Sequence, residues 1–178
     1  MGFHHVALAT ADLSTTHSFY TEAMGFELAK VVVGATPEAG WAKHAFYDAG
    51  AGGLIAFWEL HGDYPPIDGG MSRAVGLPSW VNHLAFRADD ESHFEGAKKR
   101  WLDLGLDVFE VDHGFCRSIY TTDNNGTLVE WCMDTRPLDA TDRDHAERVL
   151  LEAAPELEPG PDAIFHEGDV SRRPTWMP

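Results

Sequence analysis

The feature that most restricts the fold of this 178-residue chain is an internal repeat of one pattern of predicted elements. Residues 3–10 predict a strand, and residues 14–24 predict a helix that ends at Gly25. Three more strands are predicted before residue 60, and the same order returns between residues 80 and 133. We therefore predict an α+β fold in which two βαβββ modules join edge to edge into one curved mixed sheet.

Three pairs of segments support the repeat. They are residues 3–8 with 81–86, residues 25–28 with 105–108, and residues 46–58 with 119–131. The first pair aligns His5 with His83. The third aligns tyrosine with tyrosine and tryptophan with tryptophan, and it makes Phe57 the counterpart of Glu130.

The repeat also sets the predicted domain boundaries. These are residues 1–60 for the first module, 61–78 for a linker, 79–135 for the second module, and 136–178 for a C-terminal helix and Pro-rich tail. The linker is rich in glycine and proline. The tail lies outside the repeat, and its sequence predicts an acidic helix followed by an extended segment.

Charge excludes several classes of partner. The chain has 29 acidic and 13 basic side chains, a net charge of −16, so the phosphates of nucleic acids and anionic membranes would repel it. The sequence has no apolar run of transmembrane length and no signal-peptide start. Its two cysteines, Cys116 and Cys132, are most simply free thiols of a cytoplasmic protein. We expect a small-molecule substrate.

The stretch from Asp112 to Trp131 carries the chemistry. It predicts a hairpin whose turn lies at residues 123–126, with Glu130 in the middle of the second strand. A carboxylate there is costly to bury unless it is paired or binds a metal; the alternative is that Glu130 lies on the wet face of the hairpin. His5 and His83 occupy equivalent places in the first strands of the modules. Two imidazoles and one carboxylate form the set that holds non-haem Fe(II) in oxygenases. We therefore expect the curved sheet to enclose a metal site.

The chain resembles the vicinal oxygen chelate superfamily, which contains glyoxalase I, fosfomycin- and bleomycin-resistance proteins, and type I extradiol dioxygenases. Residues 111–130 resemble the extradiol dioxygenase signature in particular. The residues that carry this likeness are His113, Ile119, Tyr120, Asp123, Gly126 and Glu130. Asn124 stands where that pattern has proline.

The resemblance implies roles for five residues. His5, His83 and Glu130 would be the metal ligands, Tyr120 would donate a hydrogen bond to a substrate oxygen, and His113 would be a pocket acid or base. It implies Fe(II) as the metal, with Mn, Ni, Co or Zn as the other candidates, and no other cofactor. It also implies a homodimer that oxidises or cleaves a small catechol-like substrate.

Two other functions remain open at this stage. A glyoxalase-type lyase or isomerase would use a divalent metal with Glu59 as a fourth ligand. The alignment of Phe57 with Glu130 predicts that Glu59 is not a ligand, although one β-bulge would reverse this. A ligand-sequestering protein like the bleomycin-resistance proteins would bind its ligand within the same curved sheet and would need no metal.

Overall fold

The computed structural model describes residues 2–67 and 69–177. Met1, Asp68 and Pro178, which fall in the predicted first module, linker and tail, lie outside the described residues. The strands are β1 His5–Thr10, β2 Glu27–Ala35, β3 Trp41–Asp48, β4 Leu54–His61, β5 His83–Arg87, β6 Val108–Asp112, β7 Cys116–Thr122, β8 Leu128–Asp134 and β9 Asp162–His166. The helices are α1 Leu13–Ser18, α2 Gly70–Arg73, α3 Glu91–Asp103 and α4 Ala140–Leu150.

The described strands form two mixed sheets, and the predicted α+β class is confirmed. The first has the order β1-β4-β3-β2 and the second the order β5-β8-β7-β6-β9. In each sheet the first strand of the module pairs in parallel with the last, and the other pairs are antiparallel. The structure therefore repeats the βαβββ unit, but as two sheets rather than one sheet joined at an edge.

The first predicted helix is divided in two. The Asp12 carboxylate accepts a hydrogen bond from the N–H of Ser14 at 2.8 Å and so caps α1, which then widens into a π-helical turn over Phe19–Ala23. Met24 caps the end of this turn, and Gly25 follows with a φ of +77°, a backbone conformation that glycine adopts easily. The carbonyl of Ala23 accepts a hydrogen bond from the indole of Trp101 in α3, at 3.0 Å.

Both modules pack one face of their sheet, with its helices, into a single apolar core. Val129 and Trp131 of β8 belong to this core, and so do Phe57 and Ile55 of β4. Because side chains alternate along a strand, Glu130 lies on the face of the second sheet that is turned away from the core. We call this face, in either module, the open face.

Strand register corrects the alignment of the two modules by one residue. Glu130 pairs with Tyr120 across the second hairpin, and the residues in the same places of the first hairpin are Ala56 and Phe46. The predicted equivalence of Phe57 with Glu130 is wrong, because the ring of Phe57 lies in the core. Its centre is 4.5 Å from the centre of the Tyr20 ring. The matching tyrosines and tryptophans had favoured an alignment that reverses the faces of the strand.

The C-terminal tail is an integral part of the second sheet. Strand β9 extends that sheet by pairing with β6 in antiparallel register, and the following chain packs closely against Gly105, where a Cβ would overlap the carbonyl oxygen of Asp169. Helix α4, by contrast, has no buried residue. None of the helices in the described ranges is long and apolar enough to cross a membrane.

Candidate metal and substrate site

His83 and Glu130 meet on the open face of the second sheet. The first residue of β5 is His83, which is in register with Leu128, and Glu130 lies two residues further along β8 on the same face. The imidazole Nε2 of His83 lies 3.1 Å from Oε2 of Glu130. The Glu130 side chain is only 6% exposed, whereas that of His83 is 37% exposed. A buried carboxylate is therefore paired with a half-exposed imidazole.

Ser118 holds the other oxygen of the same carboxylate. Its hydroxyl donates a hydrogen bond of 2.5 Å to Oε1 of Glu130, and the serine is completely buried. This bond fixes the orientation of the carboxylate and leaves Oε2 to face His83. Sequence reasoning missed Ser118, although it lies two residues before Tyr120 on the same face of a strand.

Tyr120 and His113 form a second pair beside the first. Tyr120 lies directly across from Glu130 in the β7–β8 register, and its hydroxyl is 3.0 Å from Nε2 of His113. Burial raises the pKa of Tyr120 to about 12, and the charge of Glu130 acts in the same direction. The phenol therefore stays protonated at neutral pH and can donate a hydrogen bond.

His5 does not join these residues within one chain. It lies in the first sheet with His44 and Phe46, whose rings are centred 6.3 and 5.5 Å from its own. Residues 2–67 and 69–177 contain no group of three His, Cys, Asp or Glu side chains placed to hold one metal ion. The predicted convergence of His5, His83 and Glu130 in one chain is therefore not found. His5 and His83 are kept apart because both modules share one core, and the open faces that carry these histidines are turned away from it.

His44 is a further histidine on the open face of the first sheet. Its ring stacks on Trp58 with the ring centres 3.7 Å apart, and in the part of the chain that the structure describes its buried Nε2 has no hydrogen-bond partner. Burial lowers the pKa of His44, and the nearby His5 lowers it further.

Glu59 lies on the core side of β4 and takes part in an ion cluster. Its carboxylate accepts hydrogen bonds from Lys43, from His61 and from the N–H of Leu13 at the start of α1, at 2.8–2.9 Å. Burial by itself would raise the pKa of Glu59, but these bonds lower it to about 2. The β3–β4 pairing runs without a bulge, so no shift of register turns Glu59 to the open face.

A cavity of about 830 Å³ opens in front of the His83 side chain. Its wall includes His83, Tyr120 and His113, as well as Phe109 of β6, Phe165 of β9 and Arg173 of the tail. A volume of this size accommodates a small organic molecule. His83, Tyr120 and His113 therefore border a space that a substrate can enter, and Glu130 lies behind His83.

The donor atoms of His83 and Glu130 fit a transition metal. Nitrogen and oxygen ligands lie about 2.1 Å from such an ion, so two of them at about a right angle are roughly 3 Å apart. The observed separation of 3.1 Å matches this spacing, and Ser118 already orients the carboxylate. Imidazole and carboxylate together suit Fe(II), Mn(II) and their neighbours.

The model of the Glyoxalase/Bleomycin resistance protein/Dioxygenase superfamily matches residues 2–131 of this sequence. The chain belongs to this superfamily. The match covers both repeated modules and ends within β8, one residue after Glu130. The tail that supplies β9 lies beyond it.

Solved structures share this fold at low sequence identity. A glyoxylase/bleomycin resistance protein/dioxygenase domain from Frankia sp. EAN1pec is 20% identical with a TM-score of 0.60, and the match covers 75% of this chain and 98% of that one. The fosfomycin resistance protein FosX from Listeria monocytogenes is 23% identical with a TM-score of 0.52, over 76% and 94% of the chains. Another FosX structure, complexed with Mn(II) and sulfate, is 23% identical with a TM-score of 0.50, and the match covers 80% of this chain and 96% of that one. Lactoylglutathione lyase from Agrobacterium tumefaciens is 20% identical with a TM-score of 0.51, over 74% and 92%. No curated protein matches the chain.

Proposed function

We propose that this protein is a metal-dependent enzyme whose mononuclear centre is held by His83, Glu130 and His5. The observation that carries the proposal is the 3.1 Å separation of His83 Nε2 and Glu130 Oε2 beside the cavity. A carboxylate is costly to bury unless it is paired or binds a metal, and here a serine hydroxyl and an imidazole hold both of its oxygens in place. Such an arrangement is typical of a metal site.

We infer that His5 reaches this centre from a second copy of the chain. Within one chain His5 lies on the open face of the other sheet, with its ring beside His44 and Phe46. Placing the first module of one copy against the second module of another brings His5 to His83 and Glu130 without disturbing the core. In a symmetric dimer both copies form the same contact, which gives two equivalent sites.

The reaction that we propose is ring cleavage or oxidation of a small catechol-like substrate with dioxygen. Fe(II), when bound, supplies the redox chemistry; Mn, Ni, Co and Zn are the other candidates, and FosX was solved with Mn(II). Tyr120 donates a hydrogen bond to a substrate oxygen whose negative charge grows during the reaction. His113, hydrogen-bonded to Tyr120, accepts a proton from a substrate hydroxyl. Residues of the cavity wall orient the ring and exclude water.

Glu59 separates this proposal from a glyoxalase-type lyase. A lyase with two ligands from each module would need a carboxylate on the open face of β4, and Glu59 lies on the core side, bonded to Lys43 and His61. The position equivalent to Glu130 is Ala56, which offers no ligand. The first module therefore contributes one histidine, as expected for two histidines and one carboxylate.

The test combines metal reconstitution with oxygen uptake. Purified protein is loaded anaerobically with Fe(II) and then screened against catechols in an oxygen electrode. The proposal predicts oxygen consumption with the appearance of a yellow ring-opened product. Turnover at the same rate with and without oxygen would instead identify a lyase or isomerase. Protein that binds a catechol but no metal would identify a sequestering protein.

A further inference from the structure

Four side chains form a row across the second sheet. Glu130 of β8 pairs with Tyr120 of β7, Tyr120 with Phe109 of β6, and Phe109 with Phe165 of β9. Directly paired residues share a face of the sheet, so the row lies on the open face. Neighbouring strands are about 4.8 Å apart, so the row spans roughly 14 Å from Glu130 to Phe165.

The two phenylalanines of this row are exposed within one chain. Phe109 is 46% exposed and Phe165 is 62% exposed, and both line the cavity that contains Tyr120. Exposed apolar side chains that adjoin one another mark either an interaction surface or a ligand-binding groove, and the adjoining cavity favours the groove. The outer member of the row belongs to β9, so the tail adds an apolar wall to the cavity of the repeated modules.

Arg173 lines the same cavity, and among residues 2–67 and 69–177 it has no carboxylate partner. Its Nη2 donates one hydrogen bond, of 3.3 Å, to the carbonyl of Gly105. In the described part of the chain no carboxylate oxygen lies within 4.0 Å of its guanidinium, and its buried Nε has no acceptor. The adjacent Arg172 contrasts with it, because Arg172 pairs with Asp103 and Asp169 at 3.6 and 3.5 Å.

The chain has 29 acidic and 13 basic side chains, yet Arg173 has no carboxylate partner in the part of the chain that the structure describes. The carboxylates of Asp107 and Asp123 line the same cavity but accept hydrogen bonds from the backbone, Asp107 from Gly168 and Asp123 from Thr127. A guanidinium with free donors in a partly desolvated wall binds a carboxylate strongly, because it offers two parallel N–H groups.

We propose that the tail makes this cavity selective for an aromatic carboxylate. The planar body of the ligand lies over Tyr120, Phe109 and Phe165, and its carboxylate binds to Arg173. The inference rests on the proposed function for the reacting end of the ligand, which lies towards Glu130. It adds the chemical class of the substrate. It also assigns recognition of that substrate to β9 and Arg173, which lie beyond residues 2–131, the part matched by the superfamily model.

The test compares two probes of one shape, biphenyl-4-carboxylate and biphenyl-4-methanol. Binding of each to the full-length protein is measured by isothermal titration calorimetry, before and after addition of Mn(II). We expect the carboxylate to bind at least roughly tenfold more tightly than the alcohol, because a hydrogen-bonded charge pair contributes about that factor. Arg173→Gln should remove this preference and leave the affinity for the alcohol unchanged.

Two matched controls accompany the variants. Arg172→Gln removes an equally charged neighbour that is already paired and should keep the preference. Phe165→Ala should lower the affinity for both probes by roughly tenfold. Ile164→Ala changes the adjacent residue on the other face of β9 and should leave both affinities unchanged. Thermal unfolding of each variant checks that the fold is intact.

Equal affinity of the two probes for the wild-type protein would overturn the inference, and so would the absence of binding by either. An unchanged preference in Arg173→Gln would also overturn it. These results do not depend on the metal, because the probes are compared before Mn(II) is added. Failure to bind Mn(II) in the same titrations counts against the proposed function alone.

Discussion

The imidazole of His83 and the carboxylate of Glu130 are 3.1 Å apart, although the two residues are separated by 47 positions in the sequence. Parallel pairing of β5 with β8 brings them together, because His83 is in register with Leu128 and Glu130 follows two residues later. The contact therefore depends on strand register. A slip of one residue would turn Glu130 into the core.

Ser118 should tune the affinity for metal without touching the ion. Ser118→Ala removes the 2.5 Å hydrogen bond to Oε1 of Glu130, so the carboxylate gains freedom to rotate. Loss of such a supporting bond typically weakens metal binding by about 10- to 100-fold. Competition with a fluorescent chelator measures the dissociation constant. Ser92→Ala, at an exposed serine of α3, is the control and should bind metal as the wild type does. Equal dissociation constants for the Ser118 and Ser92 variants would contradict the assigned role.

Tyr120→Phe should slow turnover while the metal stays bound. The substitution removes only the hydroxyl, which lies 3.0 Å from His113 and can reach a substrate oxygen. A positioned donor of this kind contributes on the order of 3 kcal/mol, about a hundredfold in rate. Steady-state kinetics with the best catechol gives kcat, and elemental analysis gives the metal content. An unchanged kcat would remove Tyr120 from the reaction.

Glu59→Gln should lower stability and leave metal content unchanged. The side chain is only 12% exposed and its pKa is about 2, below the usual 4.5, so its ionised form stabilises the fold above pH 4.5. That contribution is lost as the pH falls from 4.5 towards 2. We expect the free energy of unfolding of the variant to be roughly 1–3 kcal/mol lower than that of the wild type at pH 7. This difference should become smaller near pH 3.5, where the wild type has lost part of the contribution.

Urea unfolding at both pH values measures this effect. Glu147→Gln, at an exposed glutamate of α4, is the control and should lose little at either pH. Metal loss in Glu59→Gln as large as in Glu130→Gln would instead show that Glu59 is a ligand.

The proposed sharing of the site between two copies predicts complementation. Chains carrying His5→Ala and chains carrying His83→Ala are co-expressed with different tags, and mixed dimers are purified through both tags. Each mixed dimer keeps one intact site, so its metal content should be about half that of the wild type, while each variant alone binds little. Mixed dimers with no more metal than the separate variants would show that His5 does not act across the interface.

The sequence was most informative about elements and least informative about register. The repeat predicted the βαβββ order and most strand positions, because alternating β-formers and glycine-rich turns are local signals. It misplaced the counterpart of Glu130, because the matching tyrosines and tryptophans favoured an alignment that lies one residue away from the observed one. Only the pairing of Glu130 with Tyr120, and of Ala56 with Phe46, decides between them.

Long-range arrangement was likewise not predictable from local patterns. The tail was predicted to be extended, but its pairing with β6 depends on an edge that exists only in the folded sheet. Ser118 gave no signal of its own, because buried serines in strands are common and only its bond to Glu130 marks it. The separation of His5 from His83 follows from both modules sharing one core, which the repeat by itself does not specify.

Metal content per chain tests directly whether His83, Glu130 and His5 hold a metal ion. Wild-type protein, His83→Ala and the control His145→Ala are loaded anaerobically with Fe(II), desalted, and analysed by mass spectrometry for metal per chain. His145 lies on exposed helix α4 and contacts Glu158, so its loss should not affect the centre. The account predicts about one metal per chain in the wild type and in His145→Ala, and nearly none in His83→Ala, because two remaining ligands hold a metal poorly. Full metal retention in His83→Ala would contradict it.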